Sequence, residues 1–313
     1  MGFSLSSLTD LTQKNYDDIL IKSIVGSKFF ETPGLVRMDG VNGIAVEVPT
    51  LTSSFEASYG CGAPTGGTDT IEAKTITLCK IGLKSKVCIL DLLDKPTAQY
   101  VTSDDAMTAD FESIFLAERI EKASALVSDL LWGVTNTGNT GTTIVDSNVS
   151  YSVCSNSILR QLTTNKATTA GAGITYTAIT PTNAISVINT GLIANVPDAV
   201  RDNENLTLFL SPTEFDNVFM ALVTANLYHF NPGEARPEVI SWPYASLTIR
   251  KEGSLKEKSV QLLTPTDNIA VATRVENSFE LPIVYSQDDY VFFSVKYRGG
   301  ARVLFYELAV FAS

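Results

Sequence analysis

Residues 205–222 read NLTLFLSPTEFDNVFMAL. Asn205-Leu-Thr-Leu-Phe-Leu210 is an apolar run of strand length, which predicts a buried strand. It feeds directly into Ser211-Pro-Thr-Glu214, where Ser at the N-cap, Pro at the first helical position and Glu at the third form a capping box. The helix so opened carries Phe215, Val218, Phe219, Leu222 and Val223 on one face. His229 follows it and precedes Asn231-Pro-Gly233, which predicts a role at the helix C-terminus rather than as a catalytic base.

Reading outward, Thr180 as N-cap with Pro181 behind it predicts a second helix bearing Ile185, Ile188 and Leu192, stopped near Pro197. Farther upstream, Met107 to Trp132 is the clearest helix. Ser103, Asp104 and Asp105 supply its start, Phe111, Ile114, Phe115, Ile120, Ala123, Val127, Leu130 and Leu131 its apolar stripe, and Gly133 its C-terminal left-handed residue. Polar Thr- and Gly-rich stretches at 135–143 and 163–173 mark a boundary. Downstream, Tyr290 to Arg298 and Ala301 to Phe311 read as strands joined by Gly299-Gly300, a two-residue turn requiring positive φ. Strand and helix alternate through the chain, and the class is α+β in two lobes.

Residues 1–50 show little periodicity and are broken at Pro33-Gly34, Asp39-Gly40 and Asn42-Gly43, as expected of an extended arm. A long β-ribbon follows. In its second half Ile71, Ala73, Cys79, Ile81, Leu83, Val87 and Ile89 fall on one face, with Glu72, Lys74, Lys80, Lys84 and Lys86 on the other. At ~3.3 Å per residue, 71–90 would span on the order of 65 Å, so part of the ribbon should project from the body. At the ribbon's end lies YGCGAPTGGTDT (59–70). Gly62 and Gly67 have the spacing of a phosphate-binding loop, but Thr68 and Asp69 stand where a lysine is needed, and a strand pattern follows instead of a helix. The stretch therefore reads as a loop tip.

Composition narrows the function classes. Only 18% of the 313 residues are charged while 44% are hydrophobic, against about 25% charged in typical chains. Burial of apolar surface between subunits accounts for that balance. The net charge of -11 offers no counterion release on nucleic acid, and no basic run with interleaved aromatics occurs. The start MGFSLS matches a myristoylation pattern, but no signal sequence or membrane-length apolar run is evident. Cys61, Cys79, Cys88 and Cys154 form no C-x-x-C pair, and His229 is the single histidine, which leaves little from which to build a zinc site or a histidine-dependent nucleophile. The acidic pairs Asp17-Asp18, Asp104-Asp105 and Asp288-Asp289 sit where Asp commonly satisfies helix starts and turns. No cofactor is implied, and an enzyme is not expected.

The order of elements resembles the major capsid protein of tailed double-stranded DNA phages, the HK-ninety-seven type fold. NLTLFLSPTEFDNVFMAL resembles that family's strand, Pro-containing cap and amphipathic helix. Leu227-Tyr228 and Val239-Ile-Ser-Trp-Pro-Tyr-Ala245 resemble its tyrosine and aromatic-Pro segment, with Ser241 standing where Gly is common. Leu263-Thr-Pro-Thr-Asp-Asn-Ile269 and the closing YVFFSVKYRGGARVLFYELAVF resemble its last segments. The resemblance covers nearly the whole chain, and only the order of these loose patterns is specific.

The resemblance implies an N-terminal arm at 1–50, an extended β-loop at 51–86, a peripheral lobe with the spine helix at 87–175, an axial lobe at 176–272 and return strands of the peripheral lobe at 273–313. It implies a subunit interface at the loop tip, with Phe55, Tyr59, Gly60, Gly62, Gly66, Gly67 and Lys74 as contact residues. It further implies self-assembly into hexamers and pentamers of an icosahedral head, assembled in a bacterial cytoplasm, that encloses DNA without sequence-specific binding. The partners expected are the chain itself, a portal protein and, where used, separate scaffolding and decoration proteins, with no membrane involvement. The alternatives are an encapsulin-like shell packaging a cargo enzyme and a secreted surface adhesin.

Overall fold

The computed structural model describes residues 29, 32–38, 41, 45–53, 69–88, 127–133, 143–146, 149–152, 157–165, 173–228, 237–256, 259–274, 283–287 and 290–313. The elements of interest are two larger sheets, a two-stranded ribbon and four helical segments. One small hairpin, β5 (Thr143–Asp146) with β6 (Val149–Ser152), completes the strand inventory among the described residues.

The first sheet is built on a long strand, β14 (Tyr290–Val303). Its first ten residues pair antiparallel with β4 (Cys79–Cys88), and on its other edge lie β13 (Ile283–Gln287) and then β12 (Ile269–Arg274). Strand β1 (Val36–Met38) closes that edge, parallel to β12. The sequence predicts a turn at Gly299-Gly300, and the structure corrects this. Both glycines lie inside β14, Gly299 opposite Cys79 and Thr273, Gly300 opposite Ala272. Among the described glycines only Gly34 and Gly133 have positive φ. Gly300 is required by crowding instead, because a Cβ there would lie 2.5 Å from the Thr77 carbonyl oxygen. A glycine within a strand commonly marks such a close backbone approach.

The second sheet runs β7 (Gly173–Ile174), β15 (Val310–Ala312), β11 (Gln261–Pro265), β8 (Leu206–Leu210), β10 (Thr248–Lys251), β9 (Val239–Ser241). Strand β8 is the predicted buried strand: all five residues are buried, between antiparallel β11 and parallel β10. It leads into α4 (Pro212–Thr224), whose N-cap is Ser211 and whose first helical residue is Pro212. Leu206, Leu208, Leu210, Phe215, Val218, Phe219 and Leu222 join one core with Ile188, Leu192, Ile240, Trp242 and Ile249. The predicted apolar face of α4 is thus present except for Val223, which is exposed. Asn226, at φ 58°, ends the helix. The Leu227 N–H returns to the Leu222 carbonyl at 2.9 Å, the signature of a left-handed C-terminal cap. His229 lies outside the described residues.

The capping box is half conventional. The Glu214 N–H donates to Ser211 Oγ at 3.3 Å, but the carboxylate turns inward and binds the tertiary structure. Gln261 Nε2 donates to Glu214 Oε1 at 2.6 Å, Tyr176 Oη at 3.2 Å and the Ile179 N–H at 3.3 Å. One buried carboxylate therefore ties α4 to β11 and to the strand-like segment before the preceding helix. Burial holds its carboxyl above the usual range against these hydrogen bonds.

The helix expected after Pro181 is irregular. A short α segment, α3 (Ala184–Ser186), passes into a π-helix at Val187–Leu192 and a 3-10 turn at Ile193–Asn195. Ala184, Ile188 and Leu192 are its buried residues, and Ile185 is only partly buried. Asn189, in the π-helical stretch, accepts a 2.9 Å hydrogen bond from Trp242 Nε1. Widened turns of this kind arise where a tertiary contact outweighs regular i to i−4 bonding.

Of the long helix expected at 107–132, the described residues cover only its end, α1 (127–132), and Gly133 closes it at φ 78°. Trp132, fully buried, sits between Phe29 and Phe209, with edge-on contacts at 5.2 and 5.4 Å. Phe29, α1 and β8 therefore meet at one aromatic cluster. Helix α2 (Ile158–Asn165) is fixed to β14 by Gln161, whose Nε2 donates to the Ala301 carbonyl at 2.7 Å and whose Oε1 accepts from the Val303 N–H at 3.2 Å. The two sheets join through Asn268, which exchanges two hydrogen bonds with the Phe305 backbone, at 2.7 and 2.8 Å.

Candidate subunit interface

Strands β2 (Ala45–Ser53) and β3 (Asp69–Thr77) form an antiparallel ribbon whose last described pair is Ser53 with Asp69. The 54–68 connection lies outside the described residues, and with it Phe55, Tyr59, Gly60, Gly62, Gly66 and Gly67. Lys74 is described. It stands opposite Val48 on β3, its side chain 25% exposed, and its Nζ donates to Glu72 Oε2 at 2.6 Å. That ammonium holds the Glu72 carboxyl below its usual range.

The base of the ribbon is anchored. Val48, Ile76 and Leu78 are buried against Ala270, Ala272 and Leu304, with Val46 packed beside them. Arg302 Nη1 donates to the Thr75 carbonyl. At Leu78 the chain passes from β3 into β4, so one continuous run joins the ribbon to the first sheet.

The face read from alternation is opposite to the one buried along β3. Ile71 and Ala73 are exposed, whereas Ile76 and Leu78, on the parity of Glu72 and Lys74, are buried. The ribbon's outer face then carries Leu51 directly opposite Ile71 and Pro49 opposite Ala73. Leu51 is 63% exposed and Ile71 76%. A two-stranded ribbon is marginally stable alone and gains from packing such a face. Leu51 and Ile71 are thus contact candidates that the sequence reading placed in no exposed patch; the signal lies in the pairing register, which sequence alternation does not supply. A second exposed apolar set, Met220, Val223 and Leu227, lies at helical spacing along and just beyond α4.

Among the described residues no group of His, Cys, Asp and Glu could hold a metal ion, and no helix is long and apolar enough to cross a membrane.

The fold is of the HK-ninety-seven type, matching phage capsid structures across most of the chain. A chain of the satellite phage P4 procapsid including size determination (Sid) protein superposes with TM-score 0.55 over 96% of this chain and 98% of that chain, at 11% identity. A chain of the cyanophage A-1(L) capsid asymmetric unit superposes with TM-score 0.50 over 91% of this chain and 92% of that one, also at 11% identity. A chain of the virus-like particle from Pyrococcus furiosus is 14% identical with TM-score 0.46, over 95% of this chain and 96% of that chain. No protein-family model and no curated protein matches the sequence.

Proposed function

We propose that this protein is the structural subunit of an icosahedral phage head, assembling with copies of itself as hexamers and pentamers around double-stranded DNA. The observation that carries this reading is the fold match to the P4 procapsid chain along nearly the full length of both chains. A shell of one protein needs large reciprocal contacts, and the outward Leu51–Ile71 pair on an anchored ribbon supplies an apolar face a neighbour can cover.

In this reading 1–50 is the arm, 51–86 the loop reaching over an adjacent subunit, 87–175 and 273–313 the peripheral lobe, and 176–272 the axial lobe around the five-fold and six-fold axes. Phe55, Tyr59, Gly60, Gly62, Gly66, Gly67 and Lys74 dock the loop tip. The role is structural, not catalytic, and a portal protein and separate scaffolding and decoration proteins act with the shell. The net charge of -11 keeps the wall from gripping DNA. The test is sedimentation of particles from infected cells, followed by nuclease treatment and peptide mass mapping. Particles made chiefly of this chain and holding nuclease-protected double-stranded DNA support the proposal; particles holding a cargo enzyme and no DNA overturn it in favour of a compartment shell.

A further inference from the structure

The turn after β10 buries a carboxylate that caps the short helical turn following it. Glu252 is 2% exposed. Its N–H donates to the Leu210 carbonyl at 2.9 Å, and its Oε1 accepts from the Ser254 N–H at 3.2 Å. Its Oε2 has no hydrogen-bond partner among the described residues. A buried ionised carboxylate in that situation is costly.

Helix α1 lies directly against this turn. Ser128 Oγ and Ser254 Oγ, both buried, share a 2.8 Å hydrogen bond. The next helical residue, Asp129, acts on Glu252 as a like charge, while Arg250 on β10 acts as a compensating one. From β8 the neighbour is Leu210, which carries no charge.

We infer that the seam between α1 and the Glu252–Leu255 turn is a proton-operated latch, closed while Glu252 is neutral and loosened when Glu252 ionises in its buried site, where Oε2 has no hydrogen-bond donor among the described residues. Burial is the largest influence on this carboxyl and holds it above the usual glutamate range, against the Ser254 hydrogen bonds and the charge of Arg250; Asp129 is the smallest influence and acts with burial. The sign follows. A folded-state value above the unfolded one gives stabilisation that is complete below the unfolded value and lost as pH rises through the folded value. The latch therefore loosens on going up in pH. Because α1 ends at Trp132, between Phe29 and Phe209, opening would be felt by Phe29 and by β8. The inference is independent of what the shell encloses.

Amide hydrogen exchange of the full chain, read at Ser254 and Leu255 from about pH 4 to about pH 8, tests it. Wild type, Glu252→Gln and Asp129→Asn are compared at each pH, which cancels the intrinsic pH dependence of exchange. Relative to Glu252→Gln, wild type is expected to lose protection by up to about tenfold per pH unit above a midpoint. Asp129→Asn is expected to move that midpoint to lower pH. Equal protection in wild type and Glu252→Gln throughout, or a midpoint moved to higher pH by Asp129→Asn, overturns the latch.

Discussion

Gly300 passes so near Thr77 that a Cβ on the glycine would fall 2.5 Å from the Thr77 carbonyl oxygen and 3.1 Å from Ile76 Cγ2. The obstacle is backbone, which cannot rotate away, and it belongs to the junction where the ribbon meets β14. Gly300→Ala is expected to destabilise the fold by about 1–3 kcal/mol through overpacking. Gly253→Ala is the control, since nothing lies within 4 Å of its Cβ position and its φ is not positive. Urea unfolding midpoints of the two variants should separate clearly.

Phe29 is fully buried and edge-on to Trp132. Phe29→Ala should cost about 3–5 kcal/mol through the lost contact and the cavity left behind. Thermal denaturation gives the magnitude, and increased protease cleavage before residue 36 would localise the loss to the segment around Phe29.

Ile71 and Leu51 contribute little to the isolated chain because both are exposed. Ile71→Asp and Leu51→Asp are therefore expected to change its stability by no more than about 0.5 kcal/mol, yet to abolish assembly. Circular dichroism paired with mass photometry checks both halves. Normal assembly of either variant would remove the outer ribbon face from the interface.

Glu214 gives a pH dependence of its own. Burial holds its folded carboxyl above the usual glutamate range, so stability from this group is complete below the unfolded value and declines as pH rises through the folded one. Glu214→Gln should flatten this part of the stability profile measured by urea titration at a series of pH values. Glu214→Ala should cost about 1–3 kcal/mol at any pH, because it leaves the Ile179 N–H and one of the two Gln261 amide hydrogens without an acceptor.

What could be read in the sequence was local. Ser211-Pro-Thr-Glu214 announces its helix because the N-cap bond spans three residues, and the apolar run 206–210 marks a central strand. The inward turn of the Glu214 carboxylate was hidden, since its strongest partner, Gln261, lies 47 residues away. Gly299-Gly300 has the composition of a hairpin turn, and only the ribbon crossing at Thr77 shows that it serves a straight strand. Alternation gave the ribbon its period but not its buried side on β3, which is decided by Ala270, Ala272 and Leu304 from distant sequence. Leu51 is exposed and Lys74 lies on the parity of the buried residues, because exposure along the ribbon follows from which face the register leaves uncovered.

The most direct measurement is electron microscopy, with mass photometry, of the protein purified after expression on its own in a bacterial cytoplasm. The account predicts closed icosahedral shells, or hexamers and pentamers on the order of 200 kDa from chains of 33.8 kDa. A well-behaved monomer with no larger species at high concentration would contradict it.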